Sequence, residues 1–364
     1  MLALNFTSWA SEPVVIEVQT AGSLSSLIEE SQKNQITDLT ITGNLNGTDI
    51  RFIREMAGRT YDNKECAGSL EILDLSQANI VEGGEPYFYM YSDFYTKNDE
   101  FSTYFFKGCK LKTVVFPLSL KVVGNAAFSE CYNLSGKIVI PEGVTTVGVS
   151  SFEATAIESV ELPSSLVTVT DGAMAIDAIG AHAFENCRSL REINIPESIT
   201  TIQTSVFSGC SSLTTITLPK GITGVRGSAF QDCTGLKEIR VHASVPPKAD
   251  YQAFYKVDTK ACKLVVPAGA REAYKEADEW KEFDIQEDAT LSIRENEKNN
   301  DSVKVYAVQN GVVIESSVSI PVNVYSISGN LLYEGFSDDK SYIELMQGLY
   351  IVKAGDVTTK VVIK

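Results

Sequence analysis

A repeated Phe-x-x-Cys motif constrains the fold of this chain more than any other feature. It occurs five times, at residues 106–109, 128–131, 184–187, 207–210 and 230–233. Phe152 and Phe254 keep the same phase without the cysteine, and the steps between successive phenylalanines are 22, 24, 32, 23, 23 and 24 residues. The long step contains an insertion at residues 170–178, which we expect to form a bulging surface loop. A period near 23 residues predicts a repeat protein whose units stack on one another.

Each unit also contains a strand signal of the form Leu-x-x-Ile-x-Ile-Pro, as in residues 190–196 and 213–219. Alternation along a strand places the apolar residues inside and the residues between them outside. Proline then ends the strand because it cannot donate the next ladder hydrogen bond. The pattern predicts an α/β-type repeat, a leucine-rich repeat solenoid with one parallel β-strand per coil and short capping helices.

The pattern weakens at both ends of the array, which sets the expected domain boundaries. Residues 11–65 are predicted to form an N-terminal cap, with a short helix at residues 23–30 and a second helix that buries Ile50, Phe52, Ile53 and Met56. Residues 66–288 are predicted to form the solenoid. Its last strand is expected at residues 264–267, followed by a polar-backed capping helix at residues 270–283.

The final 75 residues have a different character, because the 23-residue period stops near Leu291. Short β-rich segments then alternate with turns, which predicts a small antiparallel β-sandwich over residues 289–364. At the other end, residues 1–10 are short, uncharged and fairly apolar, and are interpreted as the remnant of a secretory signal peptide. An ordinary ragged N-terminus is the alternative interpretation.

Composition excludes several classes of function. The chain has 47 acidic and 31 basic residues, a formal charge of −16, which argues against binding nucleic acid or anionic lipid. No apolar run is long enough to cross a membrane as a helix. Only two histidines occur, His182 and His242, and no Cys-x-x-Cys pair is present, so we expect no metal site and no cofactor.

The cysteines of the Phe-x-x-Cys motifs are expected to form a column of buried, reduced thiols. Their Cβ vectors should point the same way from adjacent coils, which opposes disulfide geometry. Carboxylates are plentiful, but no spacing isolates a pair for acid–base chemistry. We therefore expect a protein that is not an enzyme and has no catalytic residues.

The full repeat, Leu-x-x-Ile-x-Ile-Pro-x-x-Ile-x-x-Ile-x-x-x-x-Phe-x-x-Cys, resembles the BspA-like leucine-rich repeats of bacterial surface proteins. The segments 45–57 and 266–283 look like the start and the end of such arrays in Bacteroidetes, and the resemblance covers about residues 17–286. Residues 324–332, 345–353 and 360–364 resemble the C-terminal sorting domain of the type IX secretion system. This second resemblance implies export and attachment to the cell surface.

The outward strand positions are the first candidate site, because they are free of the constraints of the repeat. We expect a partner to contact these residues: Glu158, Glu161, Arg191, Glu192, Asn194, Thr215, Thr217, Lys237 and Arg240. Their mixed charge suits a polar protein or glycan surface better than a polyanion. The alternative is that they only keep the sheet soluble.

An aromatic-rich insertion at residues 84–95 is the second candidate site. Aromatic side chains on a loop can anchor a protein partner or stack on sugar rings, which makes these residues a candidate contact loop: Tyr87, Tyr89, Tyr91, Phe94 and Tyr95. The alternative is that they fold back as an apolar lid over the second and third coils.

The sequence thus predicts a monomeric adhesin-like binding protein, secreted or on the outer cell surface, whose partner is an extracellular protein, glycoprotein or glycan. A carbohydrate-capture accessory protein is the alternative, and a hydrolase acting on glycans is a weaker one.

Overall fold

The structure is a computed structural model that describes residues 13–171, 174–288, 291, 303–308, 311–316, 319–326, 331–337, 340–346, 348–354 and 357–363. The predicted signal-peptide remnant, residues 1–10, lies outside the described residues. The chain divides into two compact units, Met1–Ala289 and Thr290–Lys364. Among the described residues, no helix is long and apolar enough to span a membrane.

The first unit is a solenoid whose coils each contribute a strand to parallel sheets of four, three and four strands. These strands, which form the strand face, are Val14–Val18, Asp38–Leu45, Ile72–Ile80 and Thr113–Val115, then Ser135–Val139, Ala156–Glu161 and Glu192–Ile193, then Thr215–Leu218, Glu238–Val241, Lys263–Pro267 and Asp284–Asp288. The prediction of a leucine-rich repeat solenoid is therefore confirmed. Two strands of the expected N-terminal cap pair in the same parallel sheet as the strands of the first coils.

A second set of short parallel strands lies on another side of the coils. It arises where the repeat has its pair of apolar residues three apart, such as Ile199 and Ile202. The members are Glu100–Phe101, Val122–Val123 and Thr146–Val147, then Thr201–Ile202, Gly224–Val225 and Lys248–Ala249. The insertion at residues 170–178 contains an antiparallel pairing of Val169–Asp171 with Met174–Ile176, where the sequence predicted only a bulging loop.

The repeated phenylalanines form a continuous stack through the core. Successive ring centroids from Phe128 to Phe254 are 5.3, 5.5, 5.9, 5.5 and 5.5 Å apart, and every one of these pairs is stacked. Each ring is at most 4% exposed. A coil cannot bury its own ring on both faces, so the stack makes each coil depend on its neighbours.

The cysteines of the motif form a second column beside the phenylalanines, and all seven cysteines of the chain are free thiols. Four of them donate a hydrogen bond from Sγ to the carbonyl oxygen of the motif phenylalanine in the preceding coil. The pairs are Cys131–Phe106 at 3.0 Å, Cys187–Phe152 at 3.1 Å, Cys210–Phe184 at 3.2 Å and Cys233–Phe207 at 3.0 Å. The prediction that the motif cysteines are buried is confirmed, and their reduced state stays a prediction.

Three helices lie in the N-terminal region: Leu24–Leu27, Glu30–Lys33 and Gly47–Met56. The longest begins with a capping box, in which Asn46 accepts from the Thr48 amide at 3.0 Å and Asp49 accepts from the Asn46 amide at 3.0 Å. Its predicted apolar residues, Ile50, Phe52, Ile53 and Met56, are all buried. The near-helical spacing of these residues therefore identified the helix and its inner face.

The same helix closes the open end of the first full coil. Arg54 is completely buried and donates to the carbonyl oxygens of Tyr104 at 3.1 Å and Phe105 at 3.0 Å. Arg59 donates from Nε to the carbonyl oxygen of Gly108 at 2.6 Å. The Tyr104 carbonyl oxygen also accepts from the Lys107 amide at 3.2 Å. The Phe105 and Gly108 carbonyls lie at the end of the stack, where no preceding coil supplies donors, so the arginines satisfy acceptors that would otherwise be unpaired.

The C-terminal end of the solenoid differs from the prediction. The helix spans only Arg271–Glu276, not 270–283, and a further parallel strand, Asp284–Asp288, follows it. Between them Trp280 folds over the last coil, where its Nε1 donates to the Pro247 carbonyl oxygen at 2.7 Å and its ring lies 4.9 Å from Phe254. The open face of the last coil must be covered by apolar groups, and this requirement overrides the local helix propensity of the segment.

The second unit contains two antiparallel sheets that share one apolar core. One sheet consists of Lys304–Val308, Gly311–Glu315 and Lys340–Glu344. The other consists of Leu331–Ser337, Ile320–Ser326, Gly348–Ala354 and Val357–Ile363 in spatial order. Val312 and Ile314 of the first sheet pack with Val324 and Val352 of the second. The sheets agree with the predicted antiparallel sandwich.

Candidate functional site: the strand face and the aromatic hairpin

The strand face presents the outward positions of successive coils side by side. Parallel pairing places Ser159 next to Glu192, Thr215 next to Glu238, and Thr217 next to Arg240. The inward neighbours, such as Val160 and Ile216, are at most 4% exposed. Alternation along each strand therefore fixes which side chains a partner can reach.

The structure exposes most of the predicted contact residues. Glu158, Glu161, Arg191, Glu192, Asn194, Thr215, Thr217 and Lys237 are exposed, and Arg240 is half-buried. Of these, Glu161, Glu192 and Asn194 come together with Lys137 and Ser159 around a shallow concavity of about 530 Å³. Thr215, Thr217, Lys237 and Arg240 lie on the following strands of the same face.

Two residues that line the concavity, Lys137 and Ser159, were not among the predicted contact residues. Lys137 was missed because the coil at residues 134–141 has one residue more than the Leu-x-x-Ile-x-Ile-Pro pattern. Ser159 lies at an ordinary outward position of residues 157–163, which fit the pattern, and was not included among the candidates. The strand pairing contains an irregularity between Ile157 and Ser159 that accommodates the mismatch. Lys137 and Ser159 each lie four residues before the proline that ends their strand, Pro141 and Pro163, so counting back from these prolines would have placed both side chains on the strand face.

Several charged side chains of the face form ion pairs within the molecule. Lys137 Nζ lies 2.7 Å from Glu161 Oε2, and Arg240 contacts Glu238 at 2.6 Å and Asp288 at 3.3 Å. These groups are at least a quarter exposed, and ion pairs of this kind contribute only about 0–1 kcal/mol each. A partner could therefore replace them with pairs of its own at small cost.

Asn194 has a structural task as well as an exposed position. Its Nδ2 donates to the Leu162 carbonyl oxygen at 2.9 Å, and its Oδ1 accepts from the Leu162 amide at 2.7 Å. The side chain thus pairs with the backbone of the preceding coil. Because both ends of the side-chain amide are hydrogen-bonded to Leu162, Asn194 contributes to the wall of the concavity and does not offer a free amide to a partner.

The aromatic insertion folds as a hairpin of Gly83–Tyr89 and Asp93–Thr96. Tyr87 is completely buried, with its hydroxyl donating to the Thr103 carbonyl oxygen at 2.6 Å, and Phe94 packs against the core. Tyr87 cannot serve as an exposed contact, which corrects the prediction for that residue, and Phe94 is half-buried. Tyr89, Tyr91 and Tyr95 remain exposed by 45%, 92% and 52%. One side of the hairpin therefore covers the core, and Tyr89, Tyr91 and Tyr95 face solvent.

A fourth tyrosine joins this surface from a distant part of the sequence. The ring of Tyr61 lies 5.9 Å from that of Tyr89, and its hydroxyl donates to Asp93. This hydrogen bond raises the pKa of Tyr61 to about 12. Arg51 lies 4.5 Å from the centre of the same ring. Tyr61, Tyr89, Tyr91 and Tyr95 together are called the tyrosine surface; no local signal in the sequence connects Tyr61 to it.

The cysteine column offers no reactive nucleophile. Burial raises the pKa of Cys109 to about 11 and that of Cys187 and Cys233 to about 12. The thiolate is the reactive form of cysteine, and at neutral pH these thiols remain protonated and shielded from water. Their role is packing.

Comparison with known proteins identifies the repeats. A family model described as the BspA-type leucine-rich repeat region matches residues 99–176 and 174–277, in six copies. Residues 99–277 therefore consist of BspA-type leucine-rich repeats. None of the curated proteins matches the chain.

Two solved structures are similar to parts of the chain. A leucine-rich repeat protein from Bacteroides ovatus is 23% identical with a TM-score of 0.38, and the match covers 50% of this chain and 50% of that one. A leucine-rich cell surface protein from Faecalibacterium prausnitzii is 16% identical with a TM-score of 0.26, and that match covers 66% of this chain and 81% of the other. This chain thus spans half the length of the first of these structures.

Proposed function

We propose that this chain, with its BspA-type repeats, is a non-enzymatic binding protein that engages an extracellular protein or glycoprotein through the strand face. The observation that carries the proposal is the set of exposed polar side chains aligned from coil to coil around the concavity at Glu161 and Glu192. A solenoid face of this kind offers an extended surface whose residues can vary without disturbing the core.

The charge pattern of the face supports a protein or glycoprotein partner. Glu158, Glu161 and Glu192 lie beside Arg191, and a threonine-rich strand separates them from Lys237. A surface with both signs of charge gives orientation and specificity to a polar partner. A polyanion would instead favour a stripe of one positive sign.

The location belongs to the same proposal. The resemblance of residues 324–332, 345–353 and 360–364 to the type IX sorting domain supports export and attachment to the outer cell surface. The two antiparallel sheets of the second unit are the architecture that such a domain would need. Deletion of this unit should therefore reduce surface display in the native host, which can be measured by antibody labelling of intact cells.

Carbohydrate capture is the second candidate function, and the tyrosine surface favours it. Tyr89, Tyr91 and Tyr95 expose aromatic rings that could stack on sugar rings and hydrogen-bond their hydroxyls. Tyr61 lies half-buried beside them, with its hydroxyl bonded to Asp93. The two candidates use different surfaces of the solenoid, so one set of variants distinguishes them.

The experiment measures binding of the purified full chain to a panel of extracellular-matrix proteins, mucin and immobilised glycans. Charge reversal at Glu161, Arg191 and Arg240 should weaken binding of the protein partner about tenfold or more while lowering the melting temperature only slightly. Arg188→Glu, at an exposed residue outside the strand face, is the matched control and should leave binding unchanged.

The opposite result would identify the tyrosine surface as the site. If affinity survives all three reversals and is abolished by alanine at Tyr89, Tyr91 and Tyr95, the strand-face proposal is wrong and the second candidate is favoured.

A further inference from the structure

The backbone of the Phe-x-x-Cys turns is hydrogen-bonded in one direction along the solenoid. In each coil the amide of the motif phenylalanine donates to a carbonyl oxygen of the next coil. Examples are Phe128 to Ser151 at 2.7 Å, Phe207 to Ala229 at 2.9 Å and Phe230 to Ala253 at 2.8 Å. The amides two residues before and after the phenylalanine do the same, as Ala126 and Glu130 show. The coils from Phe106 to Phe207 each donate three such hydrogen bonds to the following coil, and the coil at Phe230 donates two, from Phe230 and Asp232.

The last coil has no such successor. Gln252, Phe254 and Lys256 hold the three donor positions, and Gln252 and Lys256 have φ angles of 64° and 65°, like the 51° and 62° of Ala126 and Glu130. None of these three amides has an acceptor among the described residues. This turn therefore has the backbone conformation of the earlier turns, but its three amides have no carbonyl acceptor within the described part of the chain.

The two ends of the turn column differ in this respect. At the first full coil the unpaired groups are carbonyl oxygens, and Arg54 and Arg59 satisfy them. At the last coil Trp280 and Phe283 cover the ring of Phe254 but supply no acceptor to its amide. Backbone amides left without an acceptor at the end of a stack can pair with the backbone of another chain, as the edge of a β-sheet does.

A concavity of about 580 Å³ lies beside these amides. Its wall includes Gln252 and Phe254 of the last turn and two exposed tyrosines, Tyr251 at 80% and Tyr255 at 48%. The space is large enough for several residues of an extended chain and is open to solvent on one side.

The rim of the concavity carries an excess of negative charge. Asp278, Glu279, Lys281 and Glu282 line it. Lys281 is paired with Asp278 at 2.7 Å, whereas Glu279 and Glu282 form no ion pair within the described part of the chain. A free anion would be repelled here, and a cationic group would be attracted.

We propose that this end of the solenoid, the open turn, binds an extended segment of a partner protein that carries lysine or arginine side chains. The backbone carbonyl oxygens of an extended segment can accept hydrogen bonds from the open amides. Its basic side chains would meet Glu279 and Glu282, and Tyr251 and Tyr255 would pack along its length. The open turn is separate from the strand face, and this proposal does not depend on the function assigned to that face.

The test uses the full chain and a fluorescein-labelled peptide of seven Lys-Thr repeats, with the corresponding Glu-Thr peptide as comparison. Binding is followed by fluorescence anisotropy at about 0.15 M salt, where long-range attraction to a net acidic protein is screened. Hydrogen–deuterium exchange with mass spectrometry then locates the contact. We expect the Lys-Thr peptide to bind and to slow exchange of the amides in residues 251–257.

Two variants on the same cap provide the matched comparison. The double variant Glu279→Lys, Glu282→Lys should weaken binding of the Lys-Thr peptide at least tenfold. Glu276→Lys, an exposed residue of the same cap that does not line the concavity, makes the same kind of charge change and should alter affinity less than twofold.

Several results would overturn the proposal. Absence of binding would do so, as would protection that falls on the strand face and not on residues 251–257. An equal loss of affinity in Glu276→Lys would show attraction by net charge alone. Protection of residues 251–257 by inorganic phosphate, by the Glu-Thr peptide or by a neutral glycan, in place of the Lys-Thr peptide, would assign the open turn to another class of ligand.

Discussion

Replacement of Cys233 by alanine should change the stability of the solenoid in a way that depends on pH. Cys233 is completely buried, and its Sγ donates to the Phe207 carbonyl oxygen at 3.0 Å. Burial raises the pKa of its thiol from 9.0 to about 12. In the unfolded chain the thiol ionises at its ordinary pKa, so the folded and unfolded states bind different numbers of protons in alkaline solution.

The sign of the effect follows from the direction of the shift. Below about pH 8 the thiol is protonated in both states, and its burial contributes fully to stability. As the pH rises above 9 the unfolded state gains by ionising while the folded state cannot, so stability falls until the pH passes the folded pKa near 12. At pH 10 the difference amounts to about 1.4 kcal/mol for this one thiol.

The alanine variant loses the packing of a buried sulfur, but it also removes the thiol whose ionisation destabilises the folded state at high pH. At pH 7 it loses a buried sulfur and should be less stable by about 1 kcal/mol. At pH 10 it no longer suffers the ionisation penalty, so its free energy of unfolding should equal or slightly exceed that of the wild type. The assay is urea unfolding followed by far-ultraviolet circular dichroism with a reductant, at pH 7 and pH 10.

Val225→Ala is the matched control, because Val225 is equally buried and does not titrate. Its destabilisation relative to wild type should be the same at both pH values. If Cys233→Ala shows a pH-independent difference as well, the argument from burial of the thiol is refuted.

Three further predictions concern the two ends of the solenoid and its thiols. Arg54→Met should destabilise the protein by about 1–3 kcal/mol in thermal or urea unfolding, since it leaves the buried carbonyl of Phe105 without a donor. Arg59→Met, at a side chain that water can reach, should cost less than about 1 kcal/mol, and equal effects would contradict this. Thiol titration of the native protein should detect Cys66 alone and reach seven after denaturation, and a disulfide between motif cysteines found by mass mapping would contradict it. Deletion of residues 291–364 should leave a solenoid that unfolds cooperatively, because coils depend mainly on nearest neighbours, and loss of the cooperative transition would show that the second unit is required for folding.

The internal repeat determined most of the fold, because it specifies local geometry and burial at the same time. The period near 23 residues placed Phe128, Phe184 and Phe230 in equivalent positions, and the structure stacks their coils in that register. Alternation in each strand also decided which residues face outward, so Glu161 and Glu192 could be assigned to the surface from the sequence alone.

The tertiary structure decided what lies at the ends of the array and in its insertions. The segment at residues 270–283 has the composition of a helix, yet only Arg271–Glu276 is helical because Trp280 has to cover the ring of Phe254. Composition likewise could not divide the aromatic insertion, in which Tyr87 is buried and Tyr91 is exposed. Periodicity carries no information about segments that are not repeated. In those segments the conformation depends on which apolar surface of the neighbouring coil has to be buried.

The candidate binding surfaces show the same division. The sequence supplied the exposed residues of the strand face, but the concavity among them depends on an irregular strand pairing near Ser159. Tyr61 joins the tyrosine surface only through folding, since 28 residues separate it from Tyr89. The open turn at Gln252, Phe254 and Lys256 could not be recognised from a repeat that is identical in form to its predecessors, because what distinguishes these amides is the absence of an acceptor among the described residues of the coil end.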